Sequence, residues 1–286
     1  MPIDPEVAVG ADLGKTEFAW TSTDVLLYHL AVGAGGHPTE ASELKYVLED
    51  RLQVLPTFGV VAPNFRMFEP PAVTFPGIDI DLSKVLHGTQ SITIHARLPI
   101  AGRATSHARI ADVWDKGKAA VIVQEAEVVD LAGAPLWTTT TGIFARGEGG
   151  FGGSRGPALR LPPPVGPPDL VVELPTLPQQ ALLYRLCGDR NPLHADPSFA
   201  EKAGFDRPIL HGLCTYGMVC KAIVDEMLKG DVTAVGSFSA RFSGVVFPGE
   251  TLRVRMWETE KGYQATTTSI NRHDAVVLDE TMLTVR

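Results

Sequence analysis

The sequence predicts an α+β protein made of two related halves, each one helix with an antiparallel sheet wrapped around it. Three observations predict this. First, Leu26-Leu27-Tyr28-His29-Leu30 returns as Leu182-Leu183-Tyr184-Arg185-Leu186, and Pro56-Thr57-Phe58-Gly59 holds the place later taken by Pro208-Ile209-Leu210-His211-Gly212. A repeat of this length means duplicated domains rather than a solenoid. Second, a breaker-rich run at 147–168, GEGGFGGSRGPALRLPPPVGPP, separates the copies and holds no periodicity, as expected of a linker or an extended surface crossing. Third, the second copy shows a helical apolar period followed by four strand-like runs. The expected division is 1–146, linker 147–168, and 169–286.

In the second half, Leu213, Tyr216, Cys220, Ile223, Val224 and Met227 recur at helical spacing and predict one long helix over about 210–229, with Gly230 suited to its end. Strands are predicted at 235–246, 251–260, 262–270 and 275–286. In the second of these Leu252, Val254 and Met256 alternate with Arg253 and Arg255, the pattern of a half-buried strand. One buried helix followed by such a sheet is an α+β layout. The first half repeats the theme, with helical stretches at 23–32 and 43–48 and strands at 89–98, 105–114, 119–129 and 137–145. Trp20, Trp114, Trp137 and Trp257 are read as core or seam residues.

Composition narrows the class. Over 286 residues, 44% are apolar and 20% charged, as in an ordinary globular protein. A net charge of −8 gives no reason to expect nucleic-acid binding. No apolar run reaches the ~20 residues of a membrane span, and the N-terminus does not read as a secretory signal. Cys187, Cys214 and Cys220 form neither a disulfide framework nor a zinc pattern. These features point to a cytoplasmic enzyme or binding protein. The glycine-rich run lacks GxxxxGK[ST], which sets a phosphate loop aside.

The chemistry concentrates at G-D-R-N-P-L-H, 188–194. Asp189, Asn191 and His194 follow directly on an apolar run, Asn191-Pro192 turns the chain, and a new helix starts at Asp196-Pro197. Asp189 and His194 thus sit on a short loop between ordered elements, which can aim both into one cavity. His211-Gly212 opens the long helix. N–H groups there are unpaired and partially positive, and Gly212 lets a ligand carbonyl approach closely, an arrangement suited to an enolate or oxyanion. His29, His37, His95, His107 and His273 have no such neighbours.

The stretch GDRNPLHADPSFA (188–200), followed by AGFDRPILHGLCT (203–215), resembles the R-specific, MaoC-like enoyl-CoA hydratases, and in particular the type 2 hydratase domain of peroxisomal multifunctional enzymes. The resemblance extends to HGTQ (87–90), ADVWDKG (111–117), GGFGG (149–153) and ARFSGVVFPGETL (240–252). It implies a double hot-dog fold: two repeats of a long central helix wrapped by a curved sheet. It implies one active site per chain, because Asp189 and His194 align with Gly33 and Pro38 of the first repeat, whose role becomes to shape an acyl-chain pocket, notably with 56–75. It assigns Asp189 and His194 as the catalytic pair, Asn191 to orient the loop, and the Gly212 N–H to bind the thioester oxygen. His87, Gly88, Lys116, Phe242 and His211 are implied to contact the acyl-CoA. No metal and no cofactor besides the CoA of the substrate is expected; a homodimer is. Three other readings stay open on sequence: a dehydratase for carrier-protein-bound acyl groups, a thioesterase, and a non-catalytic acyl-CoA-binding subunit.

Overall fold

The computed structural model describes residues 3–69, 74–80, 85–157 and 161–286. The first half runs α1 (Pro5–Ala8), β1 (Asp12–Trp20), α2 (Ser22–Ala31), α3 (Ala41–Val47), α4 (Phe58–Val61), then β2 (Val85–Ile94), β3 (Gly102–Asp115), β4 (Ala119–Asp130) and β5 (Pro135–Arg146). The second runs β6 (Leu170–Pro175), α5 (Gln180–Tyr184), α6 (Pro197–Lys202), α7 (Gly212–Met227), then β7 (Val235–Phe242), β8 (Thr251–Thr259), β9 (Gly262–Ser269) and β10 (Ala275–Val285). All strands among the described residues join one antiparallel sheet in the order β1-β3-β4-β5-β2-β7-β10-β9-β8-β6. Read inward from either edge, the order is the same, so the duplication seen in the sequence is a duplication of topology. The halves meet at β2 and β7, paired from Thr89↔Arg241 to Thr93↔Ser237.

The α+β double hot-dog is present, with one correction: among the described residues only the second repeat keeps a long central helix. α7 spans 16 residues and is buried without interruption from Cys214 to Cys220, as suits a helix hydrophobic all round. Gly217 lets α2 reach it; a Cβ there would lie 2.6 Å from the Tyr28 hydroxyl. The helix closes with the Gly230 N–H donating to the Val224 carbonyl at 2.8 Å. Its counterpart α4 has four residues. Pro63 offers no N–H and its ring would strike the carbonyl four residues back, so the chain passes into a 3₁₀ turn at Ala62–Asn64.

The main core lies between the helices and the concave face. Trp20 and Trp137 are buried there, with Tyr28, Phe58, Phe238 and the inward faces of β7 and β8. A smaller cluster of Ile110, Ile122 and Ala145 on the first half's opposite face is covered by Ile3, Phe75 and Phe151. The described parts of the 147–168 run, 147–157 and 161–168, lie on the outside of the sheet. A Cβ on Gly156 would lie 2.3 Å from Trp114, residues 161–164 lie against β7, β9 and β10, and the Gly166 carbonyl accepts from Trp257 Nε1 at 3.2 Å. Trp114 and Trp257 therefore serve as seam residues. The three cysteines are free and buried. Among the described residues no helix is long and apolar enough to cross a membrane.

Candidate active site

After α5 the chain makes a 3₁₀ turn that ends at Gly188, with φ 111°. Only glycine fits: besides the backbone conformation, a Cβ would lie 2.1 Å from the Asn64 carbonyl oxygen of the first half. The next residues fold back on themselves. The Asn191 N–H donates to Asp189 Oδ1 at 3.0 Å, and Asn191 Oδ1 accepts from the Leu193 N–H at 3.0 Å. Pro192 opens a second 3₁₀ turn that delivers His194. Asp196 caps α6, accepting from the Ser198 and Phe199 N–H groups. Asn191 thus bonds within both turns, and Asp189 and His194 emerge from one tight double turn.

The structure adds His211 to this pair. Asp189, His194 and His211 place one donor atom each within 4.8 Å of one another. His194 is 8% exposed and donates from Nδ1 to the Ile209 carbonyl at 2.9 Å. A carbonyl only accepts, so the proton sits on Nδ1 and Nε2 carries a free lone pair. Burial pushes the His194 pKa below its ordinary value, while the Asp189 charge opposes this. His211 is 1% exposed, and its ring stacks on His194 with centroids 3.7 Å apart. Burial, then the His194 charge, hold its pKa well below the usual histidine value. Such groups can ligate a metal, but stacked rings send their in-plane lone pairs alongside one another rather than to a common centre.

Gly212, the first residue of α7, lies under Phe242: a Cβ would come within 2.9 Å of that ring. Its N–H belongs to the first turn, which has no intrahelical acceptor. Phe242 in turn packs on His87, centroids 4.6 Å apart. His87 donates from Nε2 to Gln90 Oε1 at 3.0 Å. The direction follows from the Gln90 amide, whose nitrogen already donates to the Ser91 and Thr140 carbonyls. Burial pushes His87 down to about 4, opposed by its bond to Gln90 and, more weakly, by the Asp189 charge. Gly88 sits in the β2 bulge, where a Cβ would lie 3.0 Å from the Gly142 carbonyl.

Asp189, His194 and His211 meet at one place, and from His211 a run of contacts leads through Gly212 and Phe242 to His87, the neighbour of Gly88. Lys116 does not join them. It occupies the β3–β4 turn at the same end of the sheet, over the Trp114 ring and donating to the Arg155 carbonyl. Beside it, Asp115 accepts from the N–H groups of Gly150, Gly117 and Gly152 at 2.9, 2.7 and 2.8 Å, which holds its carboxyl below the usual range. The glycine-rich run thus wraps an internal carboxylate. Sequence reasoning missed Tyr184, which packs on His211 at 4.9 Å, Asn64 and Gln90. The repeat of Tyr28 at Tyr184 was a usable signal for the first; the others are set by the fold alone.

A duplicated hot-dog with a D-x-N-P-L-H loop at the mouth of its one long helix defines a MaoC-like protein. Residues 161–278 match the MaoC-like domain and residues 18–147 the N-terminal domain of the MFE-2 hydratase 2. The chain is 57% identical to an enoyl-CoA hydratase, ChsH3, of Mycobacterium tuberculosis over 278 residues, 97% of each chain. A MaoC-like dehydratase from Phytophthora capsici superposes with a TM-score of 0.86 at 29% identity, over 99% of this chain and 98% of that one. The full-length peroxisomal multifunctional enzyme type 2 of Drosophila melanogaster gives a TM-score of 0.82 at 31% identity; 95% of this chain covers 48% of that larger one. The chain belongs to the family of MaoC-like, type 2 enoyl-CoA hydratases, and with it to the hydro-lyases.

Proposed function

We propose that this chain adds water to a trans-2-enoyl-CoA to give the (3R)-3-hydroxyacyl-CoA, with Asp189 and His194 as the acid/base pair. The observation that carries this reading is the meeting of a free His194 Nε2 and the Asp189 carboxylate with His211, the residue directly before the first N–H of α7. The thioester carbonyl conjugates with the C2–C3 double bond, so C3 is electrophilic. The Gly212 N–H, at the positive end of a buried helix, donates to the carbonyl oxygen and stabilises the enolate-like transition state. The pair takes a proton from water as its oxygen bonds to C3, and returns a proton to C2. His194 is suited to the first task, because burial favours its neutral form and leaves Nε2 open.

His87, Gly88 and Phe242 border the acyl-CoA in this reading, and Lys116 meets a CoA phosphate with its ammonium. The first half shapes the acyl pocket. Of the expected segment 56–75, residues 70–73 lie outside the described residues; Asn64 and Phe65 lie against the catalytic loop at Gly188. Long fatty, branched and steroid side-chain enoyl-CoAs are the candidate substrate classes. The protein works in the cytoplasm as a homodimer, and a monomeric mass in light scattering would remove the dimer.

The test is the ultraviolet absorbance of the conjugated enoyl thioester, followed with purified protein and trans-2-enoyl-CoAs of several lengths. Wild type, Asp189→Asn and His194→Gln are compared, and the product is resolved by chiral chromatography. Loss of absorbance without free thiol, absent in both variants, is the expected result. Thiol release would mean a thioesterase. Turnover only of carrier-bound substrate would mean a carrier-protein dehydratase, and binding without turnover a non-catalytic subunit.

A further inference from the structure

Two histidines from different segments reach across each other at the site. His194, on the catalytic loop, donates from Nδ1 to the carbonyl of Ile209, just before α7. His211, the residue that caps α7, donates from Nε2 back to the carbonyl of Asp189 on the catalytic loop, at 3.3 Å. The two rings lie face to face between these crossed bonds, with planes 29° apart. Since the Asp189 carbonyl can only accept, the His211 proton is on Nε2. Its Nδ1 is then a bare lone pair, buried and without a hydrogen-bond partner among the described residues.

We propose that His211 is a positioning residue for hydration: it clasps the catalytic loop to the start of α7, fixing Asp189 and His194 relative to the Gly212 N–H. This rests on the function proposed above. The side chain is 1% exposed, so it offers a substrate almost no surface; the clasp replaces the substrate contact expected from the sequence. The two parts it joins are those whose relative placement the reaction needs, the acid/base pair and the donor to the thioester oxygen. Shifts of about 1 Å at such a junction cost on the order of 100-fold in rate. The stack also requires a neutral His211. A second cation would face His194 at the moment it takes the proton from water. The other titratable or charged groups facing the stack are Asp189, Tyr184 and Arg185.

Three variants separate the parts of the clasp. His211→Phe keeps a flat ring and loses the bond to Asp189, His211→Gln keeps a donor and loses the ring, and His211→Ala loses both. Circular dichroism and melting curves restrict the comparison to folded protein. The expected result is a kcat lower by about 10- to 100-fold in His211→Ala, smaller losses in the other two, and KM within a few-fold of wild type. The acid limb of kcat/KM should move up in pH in His211→Ala, where water reaches His194, and stay in place in His211→Phe. A raised KM with unchanged kcat would return His211 to substrate binding. Unchanged kinetics and pH limb in folded variants would overturn the clasp. Ring ¹⁵N–¹H spectra supply a readout independent of turnover: the His194 Nδ1–H signal should shift in all three variants. If it shifts and wild type hydrates nothing, the proposed function fails while the clasp stands; if it does not shift, the clasp fails.

Discussion

The first half of the chain ends its central helix after four residues, while the second half runs for 16. At the alignment of the paired leucine-tyrosine stretches, the first half has Gly33 and Pro38 where the second has Asp189 and His194. Yet both halves build the same five-strand order and share one sheet. The difference teaches that the sheet requires only inward apolar faces, whereas the chemistry requires a particular junction between a loop and a helix start. The first half has become a support for that junction. Its Asn64 carbonyl lies against Gly188, and its Ala31 carbonyl accepts from Gln180 and from the Cys214 thiol at the start of α7. Its Glu43 pairs with Lys221 at 2.6 Å, in a cluster completed by Asp225 and Tyr46.

The largest expected effect lies wholly in the second half. Asp189→Asn and His194→Gln should each lower kcat by at least about 10²- to 10⁴-fold without loss of folding, read by enoyl absorbance beside circular dichroism. Residual activity near wild type in either would end the one-site comparison. Next comes a matched pair of glycines. Gly188→Ala meets both left-handed backbone and the Asn64 carbonyl, and should cost on the order of 3 kcal/mol and most of the activity. Gly33→Ala has φ 87° but only Met218 at 3.9 Å, and should cost about 1 kcal/mol and leave kcat unchanged. Equal losses in urea unfolding would show that the halves are equally constrained.

Buried histidines in both halves respond to acid. His29, in the first half, is fully buried, donating from Nδ1 to the Tyr46 carbonyl and accepting from the Leu55 N–H. Burial pushes it down to about 4 from 6.5. Between those values the unfolded chain binds a proton that the folded chain refuses. The contribution of His29 to stability is therefore full above pH 6.5 and falls by about 1.4 kcal/mol per unit as pH drops toward 4, and His87, His194 and His211, lowered by burial in the same way, add to the slope in the same direction. Urea midpoints from pH 7 to 4.5 should show this slope, and His29→Gln should reduce it; an equal slope in the variant would remove His29 from the account. Activity should instead follow His194, with an acid limb below the ordinary histidine value. The smallest effect is expected at Lys116, whose replacement by Ala should raise KM for CoA substrates a few-fold and spare kcat. A change in kcat alone would argue that it holds only Arg155.

Much of this was legible in the sequence, for physical reasons. α7 and the four strands after it carry unbroken periodicity because they face the core. The close placement of Asp189 and His194 was legible because turn chemistry, Asn191-Pro192 and the Asp196 cap, is local. The edge strands β1 and β6 were not predicted. β1 buries only Trp20 and β6 nothing fully, since an edge strand with one covered side needs little apolar pattern. The brevity of α4 could have been read from Pro63. The clasp and the Asn64 contact could not, because carbonyls 15 and 22 residues from their partner histidines, or in the other half of the chain, are brought near by packing alone.

The β2–β7 seam has a consequence for how such a molecule can change. In an assembly of two identical chains, one gene writes both copies, so any substitution appears twice and a lost loop is lost everywhere. Here the two copies meet across the same kind of strand pairing, but they are joined in one polypeptide and held at high effective concentration by 147–168. Each can be altered without altering the other. Peptide linkage across a pseudo-twofold seam thus lets one copy hold Asp189 and His194 while the other has Gly33 and Pro38 in their place.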